Sequence, residues 1–121
     1  MMSYIDGFVV PVPKGKRQEY KEMAALAAPV FLEHGALRMV ECWADDVPRG
    51  KVNDFHTAVI AEGDEEVVFS WIEWPDKATR DAGQEKVMND PRMQHQDGVE
   101  IPFSGARMIY GGFVAVLDEK A

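Results

Sequence analysis

Four stretches of this chain read as β-strands, and none of them offers a polar side. Side chains alternate across a strand, so each stretch divides into two sets. Tyr4 to Val12 gives Ile5, Gly7 and Val9 against Tyr4, Asp6, Phe8 and Val10. Leu37 to Asp45 gives Arg38, Val40, Cys42 and Ala44 against Leu37, Met39, Glu41 and Trp43. Val67 to Trp74 gives Val68, Ser70, Ile72 and Trp74 against Val67, Phe69, Trp71 and Glu73. Met108 to Asp118 gives Ile109, Gly111, Phe113 and Ala115 against Met108, Tyr110, Gly112 and Val114. A sheet wetted on one side shows a polar set in each strand. Here both sets are largely apolar, so both faces of the sheet need cover.

The chain has two long helical patterns to supply it. From Arg17, the residues Tyr20, Met23, Ala24, Ala27, Val30, Phe31 and His34 form one apolar stripe at helical spacing. Gly35 follows as the expected stop, and Pro29 is expected to bend the helix. Lys77 to Asn89 forms the second, with Asp76 as N-cap, a weaker apolar face, a costly Gly83 and a break at Asp90-Pro91. Asn53 to Ile60 fits a short helix capped by Asn53 or a strand, with the helix preferred. Pro11 and Pro13 predict that the first strand fades there or lies at an edge. Residues 62–66 predict a solvated acidic turn, Arg92 to Gly105 a long loop or a single turn, and Gly111-Gly112 a bulge or a close approach of another backbone. The order β-α-β-(short element)-β-α-β predicts an α+β fold, the ferredoxin-like βαββαβ arrangement with a four-stranded antiparallel sheet. Both helices then lie on one face, and the other is expected to meet a second copy in a symmetric homodimer.

A length of 121 residues predicts a single domain spanning 1–121. The chain carries 13 Lys and Arg against 21 Asp and Glu, a formal charge of −8. That balance argues against nucleic acid and anionic membrane surfaces, both of which are bound through clustered cations. One cysteine forms no internal disulfide. With no basic-then-apolar start and no apolar run near ~20 residues, a cytoplasmic location is expected. No Gly-rich phosphate loop, GxSxG elbow or HExxH motif is present.

The strings YIDGFVVPVPKGK, ECWADDVPRGKV, VVFSWIEWPDKATRDAG, NDPRM and RMIYGGF, spread over nearly the whole chain, resemble the YbaA-like family of bacterial proteins. The resemblance implies the dimeric α/β-barrel architecture, in which ferredoxin-like protomers join through their sheets. It implies no reaction and no catalytic residues. Proteins on the wider fold, including cofactor-free monooxygenases and haem-degrading enzymes, hold ligands between helix and sheet. By that analogy Arg80 and Arg92 are expected near a pocket mouth.

Three acids stand among aromatics: Asp6, Glu41 and Glu73 with Trp43, Trp71 and Tyr110. If their sets align they share one sheet face. A carboxyl against aromatic surface loses solvation and its pKa rises, which suits a general acid or base. The competing reading is structural, with the acids paired to Arg38, Arg80 or Arg107. Cys42 reads as a buried inert thiol unless His34 approaches it. His34, His56 and His95 are scattered over three segments, so no metal site and no cofactor is expected. Two functions follow from these residues. One is a small-molecule binder or enzyme with an aromatic-lined pocket, acting as a cofactor-free oxygenase or isomerase on a hydrophobic substrate. The alternative is a non-catalytic dimeric structural or interaction module.

Overall fold

The computed structural model describes residues 3–94 and 100–121. Its elements follow the predicted order: β1 (Tyr4–Pro13), α1 (Arg17–Glu33), β2 (Arg38–Trp43), α2 (Phe55–Ala58), β3 (Glu65–Trp74), α3 (Lys77–Met88) and β4 (Ile109–Val114). Short 3-10 turns sit at Lys14–Lys16 and Pro91–Met93. The sheet runs β2-β3-β1-β4 and every neighbouring pair is antiparallel, the ferredoxin-like α+β topology.

Local chemistry sets most boundaries. Asp76 caps α3 by accepting the Thr79 N–H at 2.7 Å. α1 ends in a Schellman turn: Gly35 takes φ +110°, and Ala36 N–H reaches back to the Phe31 carbonyl at 3.0 Å. α2 confirms the helical preference for its segment, but the cap is Asp54 rather than Asn53. Asp54 and Thr57 exchange side-chain and backbone bonds in a capping box, and Asn53 accepts the Asp54 N–H at 2.9 Å.

β1 does not fade at its prolines. It pairs with β3 as far as Pro13, while its pairing with β4 covers only Tyr4 to Val9. Pro11 and Pro13 therefore fall where β1 has become an edge on its β4 side, and their missing donors cost no ladder bond. β4 stops at Val114 rather than Asp118, because its partner β1 begins at Tyr4. The glycine pair makes no bulge, and what approaches Gly112 is not another backbone but side chains: the Tyr4 hydroxyl and Arg80, which a Cβ would approach to 2.9 Å. The acidic turn is shorter than expected. Glu65 belongs to β3, is buried, and receives two bonds from the Arg107 guanidinium at 2.6 and 2.7 Å.

Register decides the two faces. The helix-covered face carries Tyr4, Asp6, Phe8 and Val10 beside Trp74, Ile72, Ser70 and Val68, with Met39, Glu41 and Trp43 from β2. Two joined clusters form the core there: Tyr4, Ala36, Ile72 and Trp74 at one end, Val10, Val12, Tyr20 and Val68 at the other. The opposite face presents Ile5, Val9, Val40, Trp71, Phe69, Ile109 and Phe113. α2 lies against one end of it through Phe55, whose ring meets Phe69 edge-on at 6.1 Å. Phe69, Ile109 and Phe113 remain 47%, 45% and 61% exposed in the single chain. Among the described residues, no helix is long and apolar enough to cross a membrane.

Candidate functional site

The alanines of α1 create the site by leaving space. Where larger residues would fill the gap between helix and sheet, Ala24, Ala25 and Ala28 leave a cavity of about 430 Å³. Arg17, Tyr20 and Lys21 continue its helical wall, and Met39, Glu41, Trp43 and Val68 form its sheet wall. A second hollow of about 200 Å³ adjoins it and shares Tyr20, Met39 and Glu41; Phe8, Met23, Phe31 and Phe103 help to line it.

Glu41 and Tyr20 meet where the two hollows join. The Tyr20 hydroxyl donates to the Glu41 carboxylate oxygens at 3.1 and 3.2 Å. Glu41 is open to solvent through the cavity mouth, yet the surrounding helix and sheet strip water from its carboxyl group. That desolvation raises its pKa, against hydrogen bonds from Tyr20 and Ser70 that lower it. Burial first, and then the Glu41 charge, push the Tyr20 phenol far above its ordinary value. The result is a carboxyl moved toward neutral pH beside a phenol that keeps its proton. Such a pair can accept and return a proton.

A stability measurement reads the Glu41 shift. A carboxyl with a raised native pKa contributes most to folding when protonated. Its contribution is complete below the unfolded value of ~4.3 and is lost as pH rises through the native value. Glu41→Gln keeps an acceptor for Tyr20 and removes the charge. It should melt a few degrees higher than the parent near pH 8, with the gap closing near pH 4. A variant that melts lower at every pH would instead mean that the Glu41 charge is well paired.

The eight residues singled out in the sequence do not form one site. Glu41 and Trp43 are the two whose side chains line the larger cavity. Asp6 shares their sheet face but is 2% exposed and fully engaged. Its carboxylate accepts from Trp74 Nε1 at 2.9 Å, Arg80 Nε and Nη2 at 3.1 and 2.8 Å, and Gln84 Nε2 at 3.0 Å. Arg80 is therefore a tie between α3 and β1, stacked 5.1 Å over the Tyr4 ring, and not a guard at the mouth. Glu73 and Trp71 correct the expectation of a single face. They pair with Ile5 and Gly7 and so lie on the helix-free side. There Trp71 Nε1 donates to Glu73 at 3.0 Å, and Arg38 approaches Glu73 at 3.7 Å. Trp71 borders the smaller hollow only from within its strand, with its indole against Phe69 on the opposite face. Alternation within each strand is as its sequence spacing dictates; the offset between strands comes from pairing, and a one-residue slip exchanges the faces.

Tyr110 is on the helix face but at the β4 edge, stacked on Phe8 at 6.4 Å and largely exposed. Arg92 is held by Asp90 at 2.8 Å and by Glu33, outside both hollows. His34 bonds Asp90 at 3.1 Å, whereas Cys42, half-buried, pairs with Phe69 on the open face, so the two do not meet. His95 lies outside the described residues. In the sequence Tyr20 stands out only as part of the apolar stripe of α1. Its signal was present: a hydroxyl on an otherwise apolar helix face needs a partner when buried, and Glu41 is the acid it finds.

Topology and cavity together make this a ferredoxin-like α+β protein with a ligand-sized hollow beneath its first crossover helix. Residues 3–105 match the family described as protein of unknown function (DUF1428). "Uncharacterized protein YbaA" of Escherichia coli (strain K12) is 63% identical over 118 residues, 98% of this chain and 100% of that protein. The YbaA protein of Shigella flexneri matches to the same extent. The chain belongs to this YbaA-like family of unknown function.

Proposed function

We propose that this protein binds a small hydrophobic or aromatic molecule in the cavity beneath α1, and that it does so as a homodimer joined through the helix-free sheet faces. The observation that carries the reading is the Glu41–Tyr20 couple at 3.1 Å, set in the wall of a 430 Å³ apolar cavity. A base works best when its pKa approaches the working pH, which is the direction in which Glu41 is moved. A bound molecule presenting an acidic C–H or O–H to Glu41 would lose its proton there, while Tyr20 holds the resulting acid in place. Proton abstraction of this kind opens two routes for a hydrophobic substrate: isomerisation, by return of the proton at another atom, and cofactor-free oxygenation, by reaction of the carbanion with molecular oxygen.

The dimer rests on the uncovered face. Its strand-borne charges are Arg38 and Glu73, which pair with each other, and Glu65, which is buried against Arg107, so little unpaired charge opposes a second copy. The same face, taken without the cavity, favours the second reading: a dimeric module that only associates.

Two measurements test these readings. Size-exclusion chromatography with light scattering should give twice the chain mass of 13.6 kDa, and a stable monomer at micromolar concentration would overturn the dimer. A thermal-shift screen of metabolites and aromatic acids should yield stabilising compounds whose effect disappears in Trp43→Ala with the fold retained. A dimer that responds to none of them leaves the association module as the correct reading.

A further inference from the structure

Within the proposed cavity, charge pairing singles out one end. Five of the six arginines have a carboxylate partner: Arg38 with Glu73, Arg49 with Asp54, Arg80 with Asp6, Arg92 with Asp90 and Arg107 with Glu65. The sixth, Arg17, has no carboxylate among the described residues within 4.0 Å. Lys21, one turn further along α1 and on the same wall, is likewise without one among those residues. In a chain with 21 acids and 13 bases, two uncompensated cations on one cavity wall are a local reversal of the protein's charge.

Arg17 is also held in a useful pose. Its guanidinium lies over the Trp43 ring, 5.3 Å from the centroid, and both side chains line the cavity. A guanidinium stacked on an indole loses rotational freedom but keeps its in-plane N–H donors, which match the two oxygens of a carboxylate. Ala24, Ala25, Ala28 and Met39 form the rest of the lining, a wall suited to an apolar body, and Glu41 stands on β2 between Trp43 and Met39.

We infer that the ligand is an apolar or aromatic monocarboxylate, its carboxylate held by Arg17 and Lys21 and its body lying along the alanine wall. This rests on the cavity reading above and adds a charge requirement to it. With the headgroup on the two cations, the part of the ligand next to it lies beside the Glu41–Tyr20 couple.

The test compares acids with their own primary amides: 2-naphthoate, trans-cinnamate and decanoate, each against its neutral counterpart, titrated by tryptophan fluorescence and calorimetry. The amide keeps the shape and removes the charge. At least one acid should bind on the order of tenfold more tightly than its amide, the scale of a charge-assisted hydrogen bond. Added salt should narrow that preference. In Arg17→Gln/Lys21→Gln it should fall below about threefold, while the amide's own affinity barely changes. Both substituted residues are exposed, so the variant should melt close to the parent. Equal binding of acids and amides, or a preference that survives the double substitution, would overturn the charge requirement and leave the cavity reading intact. Failure of all six compounds to bind would sink both.

Discussion

Asp6→Ala should destabilise the protein by about 3–5 kcal/mol, the cost of removing one partner from a buried ion pair. Against a total stability of ~5–15 kcal/mol, that brings the native state close to collapse. The reason is what the carboxylate leaves behind. Arg80, Trp74 and Gln84 all aim donors at it from α3 and the end of β3, and Trp74 has 0% exposure. Without Asp6 the enclosed Trp74 N–H has no acceptor, and the half-buried Arg80 guanidinium keeps only Asp81, at 3.0 Å, as its carboxylate partner. Urea melts of the parent, Asp6→Ala, Arg80→Met and the double variant measure the effect. The double variant should lose much less than the sum of the single losses, because Arg80→Met removes the charge that Asp6→Ala strands. A loss below about 1 kcal/mol for Asp6→Ala would class the pair with ordinary surface salt bridges.

Gly83→Ala should also destabilise, against the local rule. Inside a helix, alanine is better than glycine by about 1 kcal/mol. At this position, though, a Cβ would sit 2.5 Å from the His34 carbonyl oxygen and 2.5 Å from the Trp74 ring. The carbonyl is backbone at the α1 C-terminus and the ring is enclosed, so neither can turn aside. α3 must lift from both, and overpacking of this kind costs about 1–3 kcal/mol, enough to outweigh the helix gain. Gly15→Ala is the control, since its Cβ would meet nothing within 4 Å and should change stability little. A Gly83→Ala protein that melts above the parent would show that α3 has slack against Trp74.

These two positions mark the limit of reading the chain in one dimension. Gly83 looks like a defect in a weak helix until α3 is laid on Trp74, when it becomes the reason the helix fits. Asp6 looks like a carboxyl among aromatics, a candidate acid. Only the return of α3 over the sheet brings Arg80 and Gln84 to it and makes it a structural knot. Glu73 and Trp71 parted from Glu41 and Trp43 for a related reason: backbone pairing between β2 and β3 fixed the offset, and side-chain pattern did not encode it. The cavity was the least legible feature, because small residues on a helix read as a good helix face and not as missing volume.

What the sequence determined by itself was local and periodic: the element order, the α1 stripe and its Gly35 stop, the Asp76 cap, and two apolar sets in every strand. Those depend on chain geometry within a few residues, so spacing alone reveals them. Tertiary structure decided which sets face each other, which acids are tied down, and where Tyr20, Glu41, Arg17 and Trp43 enclose a space. Those are matters of register and of volume between distant segments. They are settled only when the sheet pairs and the helices close over it.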